Sequence, residues 1–229
     1  MLAIPFENTN GKGVSLNDLK FSNPKAAIGA LNADQIKLWV WDESKQSYDY
    51  ESWFLKSSGW YNVKTTSLSF DKAYENGLPP GTVFWYAPYP KDAPETYTSS
   101  GEVSPDVSVV RTIWRKGYNF VSYPYPTPLN LNDANQVDWG NCTSALGAAN
   151  ADQIKLWVYD ETVEQYNYES WYKKTGGWYS VKSTTTKFET LHPNGVTVGT
   201  GFWYYPKDKA GLSETFDITF KSPIAKSAE

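Results

Sequence analysis

Residues 32–40 read NADQIKLWV, and the same nine residues return unchanged at 150–158. Sliding the chain against itself by 118 positions aligns 32–86 with 150–204 without a gap, with 31 identities in 55 positions. A repeat of this length is domain-sized, so it describes a pair of domains and not a solenoid of short units. Within the stretch, Ile36, Leu38 and Val40 alternate with Lys37, Trp39 and Trp41, the period of two that marks a strand with one aliphatic and one aromatic face. The second copy keeps the pattern, with Ile154, Leu156 and Val158 against Lys155, Trp157 and Tyr159.

Outward from this strand, residues 42–47 form a polar turn. Tyr48, Tyr50, Ser52 and Phe54 then alternate with Asp49, Glu51 and Trp53, the returning strand of a hairpin. A turn at 57–59, a strand over 60–66, an Asn76-Gly77 turn and a strand over 82–87 complete the module, and only 17–21 and 26–32 read as short helical pieces. Short strands separated by Gly, Pro and Asn predict an all-β fold: two tandem homologous β-sandwich or small-barrel domains. Fainter matches extend the repeat, with 2–6 (LAIPF) against 121–125 (VSYPY) and Glu95-Thr96-Tyr97 against Glu214-Thr215-Phe216. Turn chemistry at Ser99-Ser100-Gly101 and Pro105-Asp106 sets the expected domains at 1–104 and 105–229.

Composition agrees with this organisation. Eleven Trp and seventeen Tyr in 229 residues favour strands over helices and supply large flat side chains for packing. A net charge of −4 with scattered basic residues argues against nucleic-acid or anionic-membrane partners, which need a clustered positive field. Cys142 is the only cysteine, so no intramolecular disulfide and no Cys-based zinc site can form. No apolar run approaches the ~18 residues of a membrane span. The segment 1–6 is far too short for a signal peptide, so a secreted chain would already have lost one.

Catalytic groups are sparse. His192 is the only histidine and no G-x-S-x-G elbow occurs, which leaves a Ser-His-Asp triad without support; Tyr74 stands at the matching place in copy one. Cys142 lacks a neighbouring His or basic cluster and reads as an inert thiol. Asp34, Asp42, Glu43 and Glu51 recur as Asp152, Asp160, Glu161 and Glu169, and a glycosidase would need two of them facing across a cleft. Turn capping and solvated strand faces account for them more simply. No D-x-[DN]-x-[DN]-G loop supports calcium, and neither metal nor cofactor is expected.

The aromatics remain. Trp39, Trp53, Trp60 and Trp85 pair with Trp157, Trp171, Trp178 and Trp203, and two modules with one fold must share core residues among them. Those left exposed would be free for recognition. Lys37, Trp39, Trp41 and Tyr61, mirrored by Lys155, Trp157, Tyr159 and Tyr179, are the expected platform, suited to stacking on pyranose faces or to anchoring a protein partner. A second expectation comes from the ends. The run 109–120 (VVRTIWRKGYNF) leads into copy two, whereas copy one begins at Leu2. An edge at Leu2, Ile4 and Phe6 is expected to be completed by the terminal strand of another copy, carrying Phe216, Ile218 and Phe220, so that chains assemble head to tail.

The motifs at 34–39 (DQIKLW), 48–50 (YDY) and 81–86 (GTVFWY), repeated at 152–157, 166–168 and 199–204, resemble repeat modules of secreted bacterial proteins that carry no assigned activity. The resemblance implies an extracellular or cell-surface location. The sequence therefore points first to a non-enzymatic structural protein whose partner is itself, assembling into fibres or arrays. A lectin-like carbohydrate-binding module whose partner is a surface glycan comes second, and a glycoside hydrolase third.

Overall fold

The alternation in 35–42 has room to form one long strand because the turn after it is short. The hairpin it makes is the longest paired element of each half of the chain. The computed structural model describes residues 1–8, 12–42, 44–45, 47–90, 96–98 and 100–223. It divides into two compact units, Met1–Ser104 and Pro105–Glu229.

The first unit contains β1 (Leu2–Ala3), β2 (Lys20–Phe21), β3 (Gln35–Asp42), β4 (Ser47–Lys56), β5 (Gly59–Asn62), β6 (Val83–Ala87) and β7 (Tyr97–Thr98), with a single helical turn, α1 (Phe70–Ala73), between β5 and β6. Its main sheet runs β1-β6-β3-β4-β5, all antiparallel, and β2 pairs with β7 in a second, smaller sheet. The second unit contains β8 (Ser108–Trp114), β9 (Asn119–Ser122), β10 (Val137–Asp138), β11 (Gln153–Asp160), β12 (Gln165–Lys174), β13 (Gly177–Ser180), β14 (Gly201–Tyr205) and β15 (Thr215–Lys221), with α2 (Phe188–Leu191) before β14. Its sheets run β13-β12-β11-β14-β9 and β10-β15-β8. The fold is all-β, and among the described residues each unit carries two separate antiparallel sheets of linear strand order.

Register explains which side chains enter each core. In β3 and β4, Ile36 faces Trp53 and Leu38 faces Glu51. Ile36, Leu38 and Trp53 are buried together with Ile4, Leu16, Trp60, Phe70 and Phe84. In the second unit Ile154, Leu156, Trp171 and Trp178 meet Ile113, Phe216, Ile218 and Phe220 from the small sheet. Trp53 packs edge-on against Phe70 at 5.1 Å, and Trp171 repeats this against Phe188 at 5.1 Å. Stripping either indole to Ala would open a cavity costing about 3–5 kcal/mol.

Several expectations shift. The piece 17–21 is a 3-10 turn at Leu16–Asp18 followed by β2, and 26–32 contributes only a 3-10 turn at Ala30–Asn32. The helical turns α1 and α2 had no periodic signal because four residues are too few to show one. The run 109–120 is two strands in different sheets, parted by a turn whose Gly117 sits at φ 96°. The match of 2–6 with 121–125 agrees with pairing, since Leu2 lies opposite Phe84 as Val121 lies opposite Phe202. The match at the far end does not. Thr98 pairs with Lys20 as Thr219 pairs with Asp138, an offset of 121 positions, so copy two carries extra residues before its last strand. Glu95 lies outside the described residues. The Asn76-Gly77 turn needs its glycine: φ is +67°, and the Gly13 carbonyl oxygen lies 2.2 Å from where a Cβ would stand.

The expected assembly edges are placed differently. Phe216, Ile218 and Phe220 lie on β15, the central strand of its sheet, at 5%, 0% and 0% exposure. They belong to the core, and β15 has a neighbour on both sides. Ile4 is fully buried, and Leu2 sits in β1 beside β6. Phe6 is half-buried next to Glu7, which bridges Glu102.

Candidate functional site

The face of the main sheet that turns away from the core carries most of the remaining aromatics. Directly opposed residues of an antiparallel pair project to the same side. Trp39 lies opposite Tyr50, Trp41 opposite Tyr48, and Lys37 opposite both Ser52 and Trp85. All share this outer face. The rings touch in a cross-strand ladder: Trp39 meets Tyr50 edge-on at 4.7 Å, Trp41 meets Tyr48 at 5.3 Å, and Trp39 lies nearly parallel to Tyr48 at 6.0 Å. Burial raises the pKa of the Tyr48 phenol.

The second unit repeats the ladder with greater exposure. Trp157 meets Tyr168 at 4.5 Å and lies parallel to Tyr166 at 5.9 Å, and Tyr159 meets Tyr166 at 5.1 Å. Tyr159 is 50% exposed, Tyr166 56% and Tyr168 41%. The row then crosses the sheet. The Trp203 indole N–H donates to the Tyr168 hydroxyl at 3.2 Å, Phe120 stacks on Trp203 at 4.2 Å, and Tyr118 leans on Tyr205 at 4.7 Å. Cross-strand ring pairs stabilise a hairpin by roughly 0.2–1 kcal/mol each. The ladder thus stiffens a hairpin that extends past the core, and it leaves phenol edges and ring faces in water.

Tyr61 and Tyr179 are not part of it. Tyr61 pairs with Phe54, four residues and roughly 13 Å along β4 from Tyr50. The Lys56 ammonium sits 4.4 Å over its ring, as Lys174 sits 4.9 Å over Tyr179. Sequence reasoning instead missed Tyr48, Tyr50, Trp85 and their counterparts Tyr166, Tyr168 and Trp203. Their signal was present: Tyr48 and Tyr50 alternate in step, and a short turn after Asp42 fixes Trp41 against Tyr48.

The recurring carboxylates lie elsewhere. Asp34 is fully buried and accepts from the backbone N–H of Lys25 at 2.8 Å, the Tyr86 hydroxyl at 2.5 Å and the N–H of Tyr89 at 2.7 Å. Asp152 does the same with Tyr204 at 2.6 Å and Lys207 at 2.7 Å, and burial raises its pKa. Each ties the loop before β3 or β11 to the chain leaving β6 or β14. Asp42, Asp49 and Glu51 line a cleft under the hairpin tip with Asn62 and Lys64. The Ser44 hydroxyl pulls the Asp42 carboxyl below its ordinary range, and Lys45 does so for Asp49. Glu51 accepts from Tyr74 at 2.7 Å and Asn62 at 3.3 Å. In copy two Glu169 meets His192 at 2.5 Å, and His192 stacks on Phe188 at 4.7 Å as Tyr74 stacks on Phe70 at 4.8 Å. Asp160 caps its turn through the Thr162 N–H at 2.9 Å, Glu161 is exposed, and Glu43 lies outside the described residues.

No family model, curated protein or solved structure matches this chain. The site therefore has to be interpreted from its own chemistry. Among the described residues no cluster of three or more His, Cys, Asp or Glu is placed to hold a metal ion, and no helix is long and apolar enough to cross a membrane. The Cys142 thiol is pushed up to about 11, chiefly by burial, far from the range of a reactive thiolate. What each unit presents is a row of aromatic rings with one lysine in its midst.

Proposed function

We propose that this is a non-enzymatic, extracellular carbohydrate-binding protein whose two units each hold a glycan along the outer aromatic face. The observation that carries the reading is the duplicated ladder, Trp39, Trp41, Tyr48 and Tyr50 and its copy Trp157, Tyr159, Tyr166 and Tyr168, on the sheet face the core does not use. Pyranose rings have apolar C–H faces and equatorial hydroxyls, so a flat ring with phenol oxygens at its rim suits them. Two like sites on one chain raise avidity for a repeating polymer wherever both engage it at once. The carboxylates support a binding role over hydrolysis, because those at the cleft are engaged by Ser44, Lys45, Asn62 and Tyr74, and lowered pKa values at Asp42 and Asp49 do not suit a general acid.

The test is a glycan array and intrinsic Trp fluorescence titration on the full chain beside the Trp41→Ala/Tyr159→Ala double variant. Saccharide-dependent fluorescence change in the parent, lost in a variant with unchanged circular dichroism, is the expected result. A parent that responds to no saccharide sinks the reading.

Self-association is a second reading, now resting on β8. Arg115 N–H donates to the Glu214 carbonyl at 2.8 Å and Ser222 N–H to the Val107 carbonyl at 2.9 Å, so the odd residues of β8 bond to β15 and Val110 and Thr112 turn their amides outward. Val110 is 52% exposed, and although its carbonyl accepts from the Arg111 guanidinium at 3.4 Å, an edge with outward amides is a template for strand addition. Concentration-dependent sedimentation abolished by Val110→Pro would support it, and a strict monomer would remove it.

A further inference from the structure

The two faces of each hairpin differ in charge as well as in shape. Along the paired strands of the first main sheet, the outer positions around the ladder are Lys37, Trp39, Trp41, Tyr48, Tyr50 and Trp85, with Lys56 further along β4, and every charged group among them is a lysine. The second sheet keeps this rule with Lys155 and Lys174. The carboxylates Asp42, Asp49 and Glu51 take inner positions, opposite Ser47, Val40 and Leu38. In a chain of net charge −4, no acidic side chain among the described residues takes an outer position on these strands.

The lysines are not equivalent. Lys56 donates to the Thr66 carbonyl at 2.6 Å and Lys174 to the Thr184 carbonyl at 3.3 Å, so both are committed to local structure. The Lys37 ammonium, beside Trp39 and opposite Trp85, has no hydrogen-bond or ion-pair partner among the described residues. The Lys155 ammonium meets, among the described residues, only a phenol, donating to the Tyr118 hydroxyl at 2.9 Å. A cationic ammonium set in a row of rings, with no carboxylate on its face, is complementary to a ligand that brings the anion.

We propose that the glycan held by these faces is a polyuronate, each face stacking a pyranose ring on its aromatic ladder while Lys37 or Lys155 pairs with the ring's carboxylate. This rests on the saccharide reading above and goes beyond it by naming the ligand's charge. A carboxylate, one per sugar, fits one ammonium per face; a densely sulfated chain calls for a clustered basic field, which a single uncommitted lysine does not provide. Binding then combines a salt-insensitive stacking part with an ion pair that weakens as salt rises.

The experiment is isothermal titration of the full chain with polygalacturonate, a soluble neutral β-glucan and dextran sulfate at two salt concentrations, for the parent, the Lys37→Gln/Lys155→Gln variant and the Trp41→Ala/Tyr159→Ala variant. Expected are a preference for polygalacturonate of at least tenfold over the neutral glucan and loss of most of that preference with the glutamines. The aromatic variant should lose both ligands. Equal binding of the neutral glucan, unchanged by the glutamines, overturns the polyuronate assignment while leaving saccharide binding intact. Tighter binding of dextran sulfate overturns the choice of carboxylate. Binding of none of the three removes this proposal, and a blank glycan array besides removes the reading beneath it.

Discussion

Removing the Asp34 carboxylate tests whether the loops flanking the main sheet are held by one buried group. Asp34 Oδ2 accepts from the Lys25 N–H and the Tyr86 hydroxyl, and Oδ1 from the Tyr89 N–H. In Asp34→Ala at least these three donors lose their acceptor at a site with no solvent exposure. Each orphaned buried donor costs about 1–3 kcal/mol, so a loss of roughly 3–6 kcal/mol follows, allowing for water reaching the loop amides. Asp34→Asn is gentler but not neutral. Whichever way the amide turns, its NH2 faces a backbone N–H, of Lys25 or of Tyr89, and that conflict costs about 1–3 kcal/mol. Urea unfolding at neutral pH, followed by Trp fluorescence, reads both. With a slope near 2 kcal/mol/M, Asp34→Asn should lower the first unit's midpoint by roughly 0.5–1.5 M, and Asp34→Ala should leave that unit largely unfolded in dilute urea. An alanine variant whose midpoint stays within about 0.2 M of the parent would refute the reasoning.

Asp152 adds a pH dependence. Its folded-state pKa is raised above the unfolded value of 3.8, chiefly by burial, so its contribution is fully present below 3.8 and is lost as pH rises through the raised pKa. Asp152→Asn should flatten that part of the urea midpoint's pH profile. The Cys142 thiol, at about 11 against an ordinary 9.0, carries about a hundredfold less thiolate at pH 8. Ellman's reagent should therefore react about two orders of magnitude more slowly with the native protein than with the urea-unfolded chain. His192→Tyr copies the Tyr74 arrangement and should change stability by less than about 1 kcal/mol, whereas His192→Ala, leaving Glu169 and the Phe188 ring uncovered, should cost about 2–3 kcal/mol in the same assay.

The strands of each module were legible because alternation survives wherever one face is buried. Ile36, Leu38 and Val40 marked one face of β3 from sequence alone, with the same pattern at Ile154, Leu156 and Val158, and the packing of these side chains makes that face the inner one. Short elements were not legible. β2 and β10 have two residues each, below any period, and their place is set by tertiary pairing with β7 and β15. The platform was half read. Trp39, Trp41, Trp157 and Tyr159 follow from strand parity, but Trp85 and Trp203 reach the face from β6 and β14, which lie about fifty residues on in sequence and adjacent only through the sheet order. Tyr61 was drawn in wrongly because parity gives a face and not a position along it. The edge at Phe216, Ile218 and Phe220 failed for a related reason: a terminal stretch in sequence became a central strand once β8 folded back along it.

Each buried cluster is drawn wholly from residues of its own unit. Copy number is then a quantity that gene duplication can change without redesigning a core. A third module added to this chain would bring its own hydrophobic interior, its own buried aspartate lock and its own aromatic row, with no existing core residue changed to admit it.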